Sequence, residues 1–376
     1  MSVYLDYNAT AKVRPEAAAA VARALELDGN PSSVHAAGRA ARARVETARA
    51  EVAALVGVAP AAVTFTSCGT EADALAIQSA LAAGCERILV GATEHEAVAE
   101  TAKASGVPVE EWRVDEGGVA DLDWLVRALD DARRTLVCLM AANNETGVIQ
   151  PVAEAAAAVR AAGGWLHVDA VQAAGKIAID FNALGADTMA LSAHKLGGPQ
   201  GVGALIAGPR AVLTRQLHGG GQERGVRSGT ENVAGIAGFG AAARASAEGL
   251  AQLAAMAEHR DRLAETVKAA GAVVLGEGAP RLPQTLCFSM PGFPSELQVM
   301  GLDLAGVMVS AGAACTSGKV KASRVVEAMG LPELSPHVIR VSGGWATKPD
   351  DWTRCGEAWL EILARHEARV RAKAMA

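Results

Sequence analysis

From residue 61 to residue 207 the chain repeats one pattern: a short apolar run, a break of small or polar residues, then an amphipathic stretch. Residues 61–67 (AAVTFTS), 87–91 (RILVG), 135–141 (TLVCLMA), 165–169 (WLHVD), 188–192 (TMALS) and 202–207 (VGALIA) read as strands, with helices over 70–82 and near 152–162. Strands that alternate with helices are joined by crossovers, which pair them in parallel and cover both faces of one sheet. The alternation therefore predicts an α/β, three-layer core. After about residue 255 the pattern changes. A charged helical stretch, a strand at 285–289, a glycine-rich loop at 310–318, a strand at 338–342 and a final helix over 352–371 predict a smaller α+β domain. The join is expected in the helical segment 234–269, giving a large domain of residues 13–255 and a small one of residues 1–12 and 256–376.

A chain of 376 residues is long enough to build both. With 51% hydrophobic and 20% charged residues, intrinsic disorder is excluded. A net charge of −6 and only 3% aromatics argue against a nucleic-acid platform. The opening MSVYLDYNATAKVRPE has no apolar block of a signal peptide, and no apolar run of about 18 residues occurs. We therefore expect a soluble, cytoplasmic protein that binds neither membrane nor nucleic acid. The six cysteines, at 68, 85, 138, 287, 315 and 355, form no CxxC pair. Neither a disulfide framework nor metal-ligand spacing is present.

Ligands of open α/β sheets bind where strands end. After the 61–67 strand comes Cys68-Gly69-Thr70-Glu71, a small-residue turn opening a helix, which suits a phosphate. His95 follows the 87–91 strand, and Asn143 and Asn144 follow the next. Asp169 closes the 165–169 strand with Gln172 just beyond, and His194 and Lys195 follow 188–192. Singly, each has a bland reading: an N-cap, a hydrogen-bonded core histidine, a turn former, a solvated lysine. Together they match one chemistry, that of pyridoxal phosphate (PLP). A lysine amine bonds the cofactor, a carboxylate keeps its pyridine nitrogen protonated, and a cradle of N–H groups anchors its phosphate.

Longer stretches make the match specific. They are Tyr4-Leu5-Asp6-Tyr7-Asn8-Ala9-Thr10, Gly29-Asn30-Pro31-Ser32-Ser33, Thr93-Glu94-His95, Asn143-Asn144-Glu145-Thr146-Gly147, His167-Val168-Asp169-Ala170-Val171-Gln172 and Ser192-Ala193-His194-Lys195. To these add residues 218–230 (HGGGQERGVRSGT), 312–318 (GAACTSG) and 339–342 (IRVS). Nearly end to end, the chain resembles the NifS/IscS-type cysteine desulfurases, PLP enzymes of fold type I and aminotransferase class V.

The resemblance implies a role for each residue. Lys195 would bond the cofactor and shuttle protons, Asp169 would pair with the pyridine nitrogen, and Gln172 would hydrogen-bond the phenolic oxygen. His95 would stack on the ring and move protons. Gly69, Thr70, Ser192 and His194 would hold the phosphate. Thr230 would reach the phosphate of the neighbouring subunit, which implies a homodimer. Asn144, Arg340 and Asn30 would bind L-cysteine, Arg340 as a bidentate clamp on its carboxylate. Cys315 would take the sulfur as a persulfide and pass it to a sulfur-accepting scaffold or relay protein, in iron–sulfur cluster assembly or in thiolation. Either Lys319 or His95 would activate its thiol. No metal is implied at the PLP site; contact of Cys315 with a cluster would be transient. Cys138 and Cys287 read as buried in apolar strands, and Cys68 as packing. The chain departs from the family at Ala311 and Ala313, where serines are common, and at Gly344-Trp345. The spacing of the Cys315 loop is that of the first desulfurase group. The alternatives are a selenocysteine lyase, another class V PLP enzyme, or a non-catalytic sulfur scaffold.

Overall fold

The structure, a computed structural model, describes residues 2–130, 133–312 and 322–375. The large sheet contains β1 (Val63–Thr66), β2 (Arg87–Gly91), β3 (Val109–Trp112), β4 (Thr135–Cys138), β5 (Trp165–Asp169), β6 (Thr188–Ser192) and β7 (Gly203–Ala207). Their order across the sheet is β1-β7-β6-β5-β4-β2-β3. Pairing is parallel from β6 through to β3, as the alternation predicted. The exception is β7, antiparallel to both β6 and β1. Its cause is local: the chain between Ser192 and Gly203 is shorter than the dozen or so residues a crossover needs. β3 was not predicted, because three of its four residues are exposed and it lacks the apolar run of an inner strand. β5 and β6 are buried along their whole length, as parallel strands covered on both faces must be.

Helices α1 (Pro15–Leu25), α2 (Ala36–Leu55), α3 (Gly69–Ala82), α4 (Glu96–Lys103) and α5 (Val233–Glu248) cover the sheet. On one face, Val45 and Val52 of α2 and Ile236 and Phe239 of α5 share a core with Phe65, Leu191 and Ile206. On the other, Leu75 and Ala76 of α3 pack with Ala190 and Leu205, and Ile77 and Val98 pack with Ile88 and Leu136.

A second, antiparallel sheet holds β8 (Val273–Val274), β9 (Thr285–Ser289), β10 (Ser310–Ala311) and β11 (Val338–Ser342), in the order β10-β11-β9-β8. Helices α6 (Met256–Ala269), α7 (Ser295–Leu304) and α8 (Pro349–Ala374) pack on it around Leu286, Phe288, Ile339, Val341, Trp352 and Trp359. The segment 234–269, read as one helical stretch, is broken near Gly249 into α5, a short helix Leu250–Ala254 and α6. The N-terminal arm joins the two sheets. Val3–Tyr4 pairs with Val307–Met308, and Tyr7 N donates to Ser342 O at 3.1 Å. A few residues later, Ala11 N donates to His194 O at 2.9 Å, just beyond β6.

The register of β7 fixes the edge where chemistry is possible. Gly203 lies opposite Thr66 of β1 and Ser192 of β6, so both strands end side by side. A Cβ at Gly203 would stand 2.5 Å from the Cys68 carbonyl carbon and 2.9 Å from Leu191 O. Only glycine lets the three backbones approach this closely. We predict that Gly203→Ala lowers stability by roughly 1–3 kcal/mol, seen as a drop of several degrees in the thermal midpoint. A wild-type midpoint would show that the edge is not held by this close approach.

Candidate active site

A cavity of about 460 Å³ opens at that edge, within the range of small-molecule sites. Gly69, Thr70, His95, Asn144, Asp169 and Gln172 line it, together with Ser192, His194, Lys195 and Arg340. The chain brings them together from the ends of β1, β4, β5 and β6, from the start of α4, and from β11 of the second sheet.

The end of the cavity beside β1 and β6 suits a phosphate. Cys68 precedes α3 in extended geometry and no side chain caps the helix, so its first N–H groups keep the partial positive charge of a helix start. A Cβ on Gly69 would lie 3.0 Å from Val171 Cγ2 and 3.5 Å from Ser192 Cβ, closing the cradle. Thr70 is exposed and Ser192 buried. The imidazole Nδ1 of His194 meets Thr10 Oγ1 at 3.1 Å, and burial, then the nearby Lys195, lower its pKa to about 4, so it is neutral near pH 7.

Asp169 lies 6% exposed on the cavity wall. Its Oδ1 accepts the Val171 N–H at 2.8 Å, and burial, then the charge of Asp73, push its carboxyl up. Such a carboxyl gains most from a cationic partner, which a protonated ring nitrogen would be. Behind it, His167 joins Asp73 Oδ1 at 3.1 Å and Thr188 Oγ1 at 3.0 Å. Burial lowers the imidazole to about 4 and raises the Asp73 carboxyl, each toward its neutral form.

Lys195 donates to two backbone carbonyls, Asn8 O at 2.6 Å and Ala9 O at 2.8 Å. Burial, then the Arg340 guanidinium, lower its pKa to about 8. An amine this close to its free-base form is what carbonyl chemistry requires. The neighbouring Lys176 is 6% exposed; burial and the charges of Lys195 and Arg340 lower it well below an ordinary lysine. Lys176 Nζ donates to Gln172 Oε1, and Gln172 Nε2 donates to Asn8 O at 2.9 Å. The Gln172 amide is thereby oriented by protein groups. His95 is exposed at the start of α4; its Nδ1 accepts the Ala97 N–H at 3.1 Å, which puts the ring proton on Nε2.

Arg340 is 5% exposed. Its Nη1 donates to Asn144 O at 3.1 Å and its Nη2 to Asp6 Oδ1 at 2.8 Å. The cradle at Gly69, the buried acid Asp169 and the poised amine of Lys195 therefore fit pyridoxal phosphate, and the Arg340 guanidinium lines the same cavity.

Two expected site residues stand apart. Asn30 is exposed, bonded to Ser32 N at 2.8 Å, and does not line the cavity. Its stretch precedes α2, away from the strand ends that build the site. Thr230 is also exposed and lines a different cavity with Ser67, Gly201 and Arg227. There Arg227 pairs with Glu71 at 2.9 Å, while the buried Glu223 binds Arg49 at 2.7 Å and Phe65 N at 2.9 Å, which anchors the 218–230 segment to β1. Cys315, and with it Ala313 and Lys319, lies outside the described residues. Conversely, Cys68, read as packing, lines the cavity, as do Asn8 and Ser310, which sequence reasoning did not single out. For Asn8 the available signal was the small polar run YNAT directly after the first strand. Among the described residues no cluster of three or more His, Cys, Asp or Glu is arranged to hold a metal ion.

Comparison with known proteins bears on this geometry. The family model described as aminotransferase class-V matches residues 3–352. A cysteine desulfurase of Cereibacter sphaeroides is 43% identical over 92% of this chain and 92% of its own. An IscS-like cysteine desulfurase of Mycobacterium tuberculosis is 36% identical over 99% and 98%. The solved structure of a NifS-like protein from Rickettsia africae superposes with a TM-score of 0.88 at 31% identity, over 97% of this chain and all of that one.

The electrostatics give a direct test. In protein freed of cofactor, acylation of Lys195 followed by mass spectrometry against pH should be half-complete near pH 8. Arg340→Gln removes a repelling cation, so the midpoint should rise toward the ordinary lysine value of about 10.4. A midpoint that stays put, or falls, would refute the coupling of the two groups.

Proposed function

The chain belongs to the aminotransferase class-V family, and on that premise we propose how its cavity serves a cysteine desulfurase reaction. The protein is a PLP-dependent cysteine desulfurase acting on L-cysteine. The observation that best supports the site assignment is the amine of Lys195, lowered to about 8, in one cavity with a buried carboxyl and a buried guanidinium.

Pyridoxal phosphate, when bound, supplies an electron sink for charge that develops at the substrate's α-carbon. Gly69, Thr70, Ser192 and His194 would hold its phosphate, and Asp169 would keep a proton on its ring nitrogen. Gln172 would hydrogen-bond its phenolic oxygen. Arg340 and Asn144 seat the carboxylate of L-cysteine and so aim its α-proton at Lys195. Lys195, as free amine, takes that proton and returns it. His95, with its Nδ1 occupied by the Ala97 N–H, would turn Nε2 to the ring and to proton transfer there.

Cys315 is the sulfur acceptor. As thiolate it attacks the substrate sulfur: the Sγ–S bond forms while the substrate's Cβ–S bond breaks. The electron pair stays with the carbon fragment, which takes up protons and leaves as alanine. Two features support this choice. Burial raises the thiol pKa of Cys85, Cys138, Cys287 and Cys355, which disfavours the reactive thiolate there. Ala311, four positions before Cys315 in the sequence, lines the cavity. The persulfide then serves an acceptor in iron–sulfur cluster assembly or thiolation. The active form is a homodimer in which Thr230 reaches the partner's phosphate, and residues 13–255 form one domain against 1–12 with 256–376. No helix among the described residues is long and apolar enough to cross a membrane, which is compatible with a cytoplasmic setting.

Incubated with L-cysteine and no keto acid, the protein should release alanine and carry a persulfide on Cys315, read by peptide mass. Lys195→Ala and Cys315→Ser should each lower alanine release by about a hundred-fold or more. Full alanine yield from Cys315→Ser would place the sulfur acceptor elsewhere.

A further inference from the structure

The guanidinium of Arg340, which lines the cavity, is held on two sides. Nη1 rests on the carbonyl of Asn144 and Nη2 on Asp6 Oδ1, while Nε is buried with no partner. A buried donor left unpaired is costly, so the orientation of the guanidinium depends on the two bonds it does make. Asp6 is itself fixed. It bridges to Ser342 in the stretch of the arm stitched to β11, and its Oδ2 accepts the Ser310 hydroxyl at 3.2 Å. The other acid near Arg340, Glu145, bonds Ser323 Oγ at 2.6 Å, and burial raises its pKa to about 7, so it balances the guanidinium poorly. Among the described residues Asp6 is thus the carboxylate ion-paired with Arg340.

We propose that Asp6 is the positioning residue of the substrate-carboxylate clamp, fixing the Arg340 guanidinium in the plane from which it meets an entering α-carboxylate. This rests on the reading of Arg340 as that clamp. A guanidinium on a long side chain has several rotamers, and one anchor leaves it free to turn about that bond. Two anchors at Nη1 and Nη2 define its plane. The Asp6 anchor is a charge-assisted bond and therefore the stronger of the two. The selectivity that follows is for amines bearing a carboxylate on the α-carbon, with Asp6 acting on the carboxylate through Arg340, apart from a smaller charge effect on Lys195 felt by both ligands.

The test titrates PLP-loaded protein with L-alanine and with L-alaninamide, which differ in the carboxylate alone, and reads the visible spectrum. In Asp6→Asn, shape is kept and the charge is lost. The Kd for L-alanine should rise about ten-fold or more, while that for L-alaninamide changes far less. In turnover, KM for L-cysteine should rise more than kcat falls, and Asp6→Glu should restore part of the loss. Equal weakening of both ligands by Asp6→Asn would mark a merely structural role and overturn the proposal. So would unchanged or tighter L-alanine binding. Arg340→Gln is the separate control: if it leaves the alanine-to-alaninamide ratio intact, the clamp reading itself fails. If it erases the ratio while Asp6→Asn does not, only the Asp6 proposal fails.

Discussion

Six hydrogen bonds converge on one residue of the N-terminal arm, and the site depends on them. The backbone carbonyl of Asn8 accepts Lys195 Nζ at 2.6 Å and Gln172 Nε2 at 2.9 Å. Its side-chain amide donates to Asn144 O and to Thr285 Oγ1, and its Oδ1 accepts Lys176. Its backbone N–H donates to Ser342 Oγ at 3.0 Å. Lys195, Gln172, Lys176 and Asn144 follow strands of the large sheet, whereas Thr285 and Ser342 belong to strands of the second one. A 1% exposed asparagine thus stitches both sheets together where the cavity forms. Buried polar groups tolerate little misalignment, so this network sets the distance between Lys195 and Arg340.

The cavity is polarised by the same geometry. Lys195, Lys176 and Arg340 gather near Asn8, while Asp169 lies on the β5 wall with Asp73 and Glu94 close enough to act on it or feel it. Mutual repulsion and burial push the amines down, and burial pushes the acids up. Each set is therefore poised for what it has to do. A lysine near its free-base form can bond a carbonyl and move a proton, and a raised acid gains from a cationic ring nitrogen. These properties come from placement within the fold. Neither lysine would titrate this way on a surface.

Much of this was legible in the sequence because buried parallel strands write themselves as apolar runs. The runs at 87–91, 165–169, 188–192, 285–289 and 338–342 coincide with strands, and polar residues at or just after the ends of the first three, His95, Asp169, Gln172, His194 and Lys195, meet in one cavity. What was not legible has physical reasons. The edge strand Val109–Trp112 reads as polar because it is exposed, and the reversal of Gly203–Ala207 depends on a connection length rather than a pattern. Asn30 and Thr230 belong to matching stretches, but a single chain does not bring them to this cavity. The contribution of Asp6, Asn8 and Lys176 arises from pairing between residues more than a hundred positions apart in most cases, which periodicity does not encode. In the Gly343-Gly344-Trp345 stretch packing fixes Gly344: a Cβ there would stand 1.9 Å from the ring of Tyr7, so only glycine fits.

Two lysines bond Asn8, the half-buried Lys195 and the buried Lys176, and the cofactor is assigned to the first. Borohydride reduction of the PLP-loaded protein, followed by peptide mapping, decides between them. The pyridoxyl group should be found on Lys195 and not on Lys176, whose Nζ is held by Gln172 Oε1 and Asn8 Oδ1. A label on Lys176, or on neither lysine, would contradict the assignment on which the reading of the whole cavity stands.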